Sequence, residues 1–292
     1  MPTFETPEPI SVTVELGLGD LRVVAGDRTD TLVEVLPSNP AKKADVAAAA
    51  ETRVEYAGGM LVVKAPSRWL YSFRGAGNES VDVRIDLPAG SHLDAKVGAG
   101  PIRSTGRLGN CRAKTGVGEI RLDETDALEA STGAGEISVG VATGRADVST
   151  GTGALRIGSV GGAATVKNSN GDTWIGDVGG DVRIASANGS IVVDRALSTV
   201  VAKTANGDVR LGEVVHGAVV AQTAVGQVDI GVLDGVAAWL DLNTRFGHVY
   251  NHLEAAERPA PGQDSVEVRG RTSFGDITVR RVSAPVGAAV EP

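Results

Sequence analysis

One glycine recurs along this chain at a nearly constant interval. Gly100, Gly118, Gly135, Gly153, Gly171, Gly189, Gly207, Gly226 and Gly247 are mostly 18 residues apart, with single intervals of 17, 19 and 21. A fixed period of this length means that one supersecondary unit is stacked repeatedly. Columns counted from the glycine show what the unit is. Two positions after it stand Ile102, Ile120, Ile137, Leu155, Ile191, Val209 and Val228, and four after it Leu122, Val139, Ile157, Ile175, Val193, Leu211 and Ile230. The position between is mostly polar, with Arg103, Arg121, Ser138, Arg156 and Arg210, so the segment is a strand with one buried face. The segment before the glycine alternates in the same way. Ala113, Ala130, Val148, Val166, Ile184 and Ala202 face one side, with Lys96, Lys114, Ser131, Ser149, Lys167 and Lys203 on the other.

The corners have columns of their own. Three positions before the glycine, Thr115, Thr132, Thr150, Thr204 and Thr223 supply a hydroxyl able to bond turn backbone groups. The next column, with Gly98, Gly116, Gly133, Gly151, Ala187 and Ala205, admits only small residues, as closely approaching chains require. Asn170, Asn188 and Asn206 each precede a reference glycine and would stack as an amide ladder. Gly118, Gly135, Gly171, Gly189 and Gly207 are then structural corners. The expected fold is all-β, a single-stranded parallel β-solenoid of about nine to eleven 18-residue rungs. The crossover rule favours right-handed coiling. Val160, Val178 and Val214, seven after the glycine, suggest a third, shorter face.

Four stretches follow from where the period holds. Residues 1–92 read as a β-rich lead-in and cap, with a short helix within Asn39 to Ala50 and a hairpin of Thr52–Tyr56 with Met60–Lys64. Residues 93–253 are the regular array, 254–282 a loop and a final strand pair, and 283–292 a disordered tail. The lead-in carries the most conspicuous insertion, where Trp69, Tyr71 and Phe73 lie between Arg68 and Arg74 in a chain with only 3% aromatics.

Units of the form Thr-Gly-x-Gly-Glu-Ile-x-Val, at Thr115–Leu122 and Thr132–Val139, and Thr-Ala-Asn-Gly-Asp-Val-x-Leu, at Thr204–Leu211, resemble the bacterial β-strand-repeat family labelled "putative adhesin". The strand Val81–Leu87, followed by Pro88-Ala89-Gly90, is similar to the lead-in common in that family. The resemblance implies a solenoid with an architecture like that of bactofilins, and no established function or catalytic residue to carry over.

The composition narrows the function classes. A net charge of −8 and a pI near 5.1 argue against a nucleic-acid partner. No run of about 18 apolar residues occurs, so no membrane-inserted helix is expected. The first ten residues carry acids and prolines where a signal peptide needs a basic start and an apolar run. The expected location is therefore cytoplasmic, with a surface role only through another export route. Cys111 is the only cysteine and sits in an inward column, as a buried structural thiol would.

No catalytic, cofactor or metal motif stands out. The paired glycines lack the third glycine and the Lys-Ser/Thr of phosphate loops and lead into strands. His248 and His252 would lie about 13 Å apart on a strand, too far to share a metal. Glu119 and Glu136 head an acidic row and would lie about 5 Å apart on adjacent rungs, a spacing that retaining glycosidases use. The leading expectation is a non-enzymatic scaffold or adhesin-like binding protein. It would contact an unknown protein or glycan through Arg68, Trp69, Tyr71, Phe73, Arg74 and the outward-facing Trp174. Two alternatives remain open: a self-assembling, bactofilin-like structural protein joined through its terminal rungs, and a carbohydrate-active enzyme using the acidic row.

Overall fold

In the computed structural model, which describes residues 2–66, 79–254 and 265–283, the alternating segments are strands, and successive strands of one column lie side by side in parallel. The pairing is in register with the columns. Strand β10 (Cys111–Val117) sets Cys111, Ala113, Lys114 and Thr115 opposite Leu128, Ala130, Ser131 and Thr132 of β12 (Leu128–Ala134). A one-residue slip would turn every apolar side chain to solvent, so the burial pattern holds the register. Each turn of chain contributes one strand to each of two sheets, and the inward side chains of both form a β-solenoid core of Val, Ile, Leu and Ala. Val160, Val178 and Val214 are the last residues of the strands Leu155–Val160, Thr173–Val178 and Val209–Val214 and are fully buried, one position out of the alternation that Leu155 and Ile157 begin.

The chain divides into two units, Met1–Ile157 and Gly158–Pro292. In the first, β2 (Ser11–Leu18) and β3 (Leu21–Gly26) form the earliest rung, but they are not its outermost one. β2 lies between β8 (His92–Ala99) and β6 (Met60–Lys64), and β3 lies between β7 (Val81–Pro88) and β9 (Ile102–Thr105). The end is closed by antiparallel pairing. β4 (Asp30–Pro37) runs against β7, the three-residue β1 (Thr3–Glu5) against β4, and β5 (Arg53–Ala57) against β6. The helix α1 (Lys43–Glu51) packs on β4 and β7 and is pinned by Asp45, which accepts a hydrogen bond from the Ser80 amide and pairs with Lys42 at 2.9 Å.

The second unit ends differently. β22 (Gly217–Gln222) and β23 (Val228–Leu233) complete a rung, and β24 (Ala237–Phe246) and β25 (Val249–Asn251) form the next in sequence. The chain then passes through residues 255–264, outside the described residues, and returns as β26 (Ser265–Phe274) and β27 (Ile277–Val282). The returning pair inserts between the other two rungs. β26 lies between β22 and β24, and β27 lies between β23 and β25, all parallel. The rung that is last in space is therefore β24 with β25.

The corners follow from their small residues. Gly207 has φ +135°, in the region that favours glycine, and a Cβ there would meet the Gly189 carbonyl of the neighbouring rung, 2.5 Å from its carbon. The threonines tie these corners together. The Thr115, Thr132 and Thr150 hydroxyls donate to the carbonyls of Gly100, Gly118 and Gly135 at 3.1–3.2 Å, and Thr204 donates to Gly189 at 3.1 Å. Each threonine is buried, so the bond satisfies a hydroxyl that would otherwise cost about 1–3 kcal/mol. Asn188 donates to the Asn170 side-chain oxygen and Asn206 to that of Asn188, both at 2.9 Å, an amide ladder along the exposed edge.

Candidate functional site

The residues singled out for chemistry are held in ion pairs. Glu119 pairs with Arg121 at 2.6 Å and with Arg103 at 3.4 Å, and Arg103 also reaches Asp20 at 2.7 Å. Glu136 pairs with Arg156. Arginines thus neutralise Glu119 and Glu136, as opposite charges commonly do on a solvated sheet face, while Asp172 and Asp208 of the same row accept hydrogen bonds from the Ser190 and Gln227 amides. Among the described residues no group of three or more His, Cys, Asp or Glu side chains converges as a metal centre. Cys111 is buried, and burial with the Asp94 charge beside it pushes its thiol up to about 12, so it stays protonated at neutral pH and is a poor nucleophile.

The proposed binding residues Arg68, Trp69, Tyr71, Phe73 and Arg74 lie outside the described residues. The residues that flank this stretch, Pro66 and Glu79, both line a groove of about 870 Å³ in the first unit. Gly17, Gly98 and Gly116, one from each of three neighbouring rungs, are among its other lining residues. Trp174 is described and faces outward, 37% exposed. Its indole nitrogen donates to Asp194 at 3.1 Å, and its ring lies along the strand over Gly176, so it is fastened to its own sheet.

The sequence columns contain a stronger surface feature that residue type alone did not flag. The position before the reference glycine is asparagine at 170, 188 and 206, but Val225, Phe246 and Phe274 in the last three units. In space these residues continue one line: Asn206 bridges to Val225, Val225 to Phe274, and Phe274 pairs with Phe246 on the terminal rung. The two phenyl rings stack, with centroids 4.9 Å apart and planes 10° from parallel, and the Arg245 guanidinium sits 5.5 Å from the Phe246 centroid. They are 54% and 56% exposed, and Trp239 on the same terminal strand is 67% exposed. Val249 and Tyr250 on β25 are exposed as well. Isolated apolar side chains on a surface need no explanation, whereas a contiguous stacked set marks an interaction site.

The core itself is open at this rung. Val228 and Ile277 are 1% and 0% exposed, while Val249, next in the same column, is 42% exposed. Leu240 and Leu242 are half-buried, although Val268, which pairs with Leu240, is fully buried. The geometry offers an apolar, aromatic edge whose strand backbone faces no partner strand among the described residues, an arrangement suited to binding.

A model of the family described as Toastrack DUF4097 matches residues 10–281. Among solved structures, a "putative adhesin" of Bacteroides fragilis NCTC 9343 is similar at 9% identity and a TM-score of 0.35, covering 96% of this chain and 95% of that one. A "putative adhesin" of Parabacteroides merdae ATCC 43184 is similar at 10% identity and a TM-score of 0.32, with the same coverage of 96% and 95%. A "putative cell adhesion protein" of Clostridium sporogenes ATCC 15579 is similar at 10% identity and a TM-score of 0.22, covering 96% and 98%. No curated protein matches the chain. No described helix is long and apolar enough to cross a membrane.

Proposed function

The chain belongs to the Toastrack DUF4097 family, and from that premise we propose that it is a non-enzymatic binding protein whose contact surface is the terminal rung of its second unit. The observation that carries this reading is the change within one column. In the rungs of Gly171, Gly189 and Gly207 the position before the glycine is an asparagine ladder whose amides bond one another; in the rungs that follow, it becomes the exposed line of Val225, Phe274 and Phe246, ending in two stacked rings where the earlier rungs carry Ala99, Val117, Ala134 and Thr152. Burying one such phenylalanine in an interface contributes about 1.5–3 kcal/mol, so the stacked pair can anchor a partner. Arg245 beside the stack and Trp239 on the same strand are of the residue types that dominate interface energetics.

The double variant F246S/F274S tests the reading. Both rings are exposed, so its melting temperature should stay within a few degrees of the parent. In a pull-down from native lysate read by mass spectrometry, the proteins specifically captured by the parent should be lost from the variant and retained by Trp174→Ala. Unchanged capture by F246S/F274S would overturn the assignment of this surface.

A further inference from the structure

Resting on the reading of the terminal rung as an interaction surface, we propose that its occupant is a second copy of this chain, joined by antiparallel pairing of β24 with β24 about a two-fold axis at Asn243. β24 is ten residues long, has β26 as its one neighbour among the described residues and stands at the end of its sheet, and β25 stands at the end of the other. Its outer row of backbone donors and acceptors faces no strand among the described residues and can form a ladder. Edge strands that must stay single are normally short, interrupted by proline or densely charged. The end strands of the first unit fit that description, with three-residue β1 and with β5 carrying Arg53 and Glu55. β24 does not.

The side chains of β24 complement themselves. Trp239, Asp241, Asn243 and Arg245 alternate with the inward-column Leu240, Leu242 and Thr244. In an antiparallel pair each residue i faces a residue j with i + j constant. Of the registers that keep inward opposite inward, the one centred on Asn243 sets Asp241 opposite Arg245 of the second copy, twice. It also sets Asn243 opposite itself, and an amide can both donate to and accept from its own symmetry mate. Registers centred on Asp241 or Arg245 would oppose like charges, and those centred on Leu240, Leu242 or Thr244 set neither charge opposite its complement. On the inward side the same register brings Leu242 beside Thr244 and covers the half-buried end of the core. Such an interface is isologous and closes at two copies.

Sedimentation equilibrium over a concentration series, with far-UV circular dichroism as the fold control, tests this. The parent chain should show a monomer–dimer equilibrium. Arg245→Asp and Asp241→Arg should each raise the dissociation constant by at least about tenfold, because two attractive pairs become repulsive. The charge-swapped double variant D241R/R245D should restore dimerisation. A parent that stays monomeric at every concentration, that forms open-ended polymers, or whose double variant stays as weak as the singles would overturn the proposal. Loss of captured partners in F246S/F274S alongside a monomeric parent would leave the binding function standing with an occupant other than a second copy.

Discussion

Replacing Gly207 with alanine is expected to destabilise the second unit by at least about 3 kcal/mol, seen as a lowered urea midpoint. Two costs combine at this position. The residue sits at φ +135°, which alanine adopts only under strain, and the new Cβ would drive into the Gly189 carbonyl of the neighbouring rung. Backbone cannot swing aside as a flexible side chain can, so the rungs would have to separate. Separation would also break the bond from Thr204 to the Gly189 carbonyl and from Thr223 to that of Gly207. Gly17→Ala is the matched comparison. A Cβ there meets nothing within 4 Å, and the change should stay within about 1 kcal/mol of the parent. Equal effects at the two positions would refute the close-approach account of the corners.

A chain ended at Asn251 should be weaker than its parent by several kcal/mol, although the regular period also ends there. Such a chain keeps every reference glycine from Gly100 to Gly247 and, of the described strands, loses only β26 and β27. The structure makes that pair internal. Val266, Val268, Ile277 and Val279 are at most 1% exposed, and each contributes about 1.5–3 kcal/mol by burial. Their removal leaves β24 without β26 and β25 without β27, the neighbours to which they are paired. The expected result is a lower urea midpoint with a smaller dependence on urea, as the terminal rung detaches before the rest. A midpoint equal to that of the full chain would show that β26 and β27 are dispensable and lie outside the stack.

Much of this fold was legible because a solenoid writes its geometry as columns. Ala113, Ala130 and Val148 recur at one offset and lie side by side, and the hydrophobic period assigns each strand its inward face. The same regularity hides the order of the rungs. Val219, Val268 and Leu240 are interchangeable in an inward column, so nothing in the pattern says that β26 lies between β22 and β24, or that β6 lies outside β2. The surface set was missed for a related reason. Val225, Phe274 and Phe246 are scattered over 50 positions of sequence and become one line only when the inserted rung is placed. A signal did exist in the column before the reference glycine, where asparagine gives way to apolar residues near the end of the array. The conspicuous aromatic stretch at Trp69, Tyr71 and Phe73 drew attention by local density, which is visible without a fold.

The assignment of the open edge depends on β26 and β27 lying inside β24 and β25, and backbone amide NOEs in a deuterated sample test it most directly. The structure predicts cross-strand contacts from Val219 to Val268 and from Val268 to Leu240, and none from Val219 to Leu240. A direct contact between Val219 and Leu240, with β26 at the edge, would contradict it.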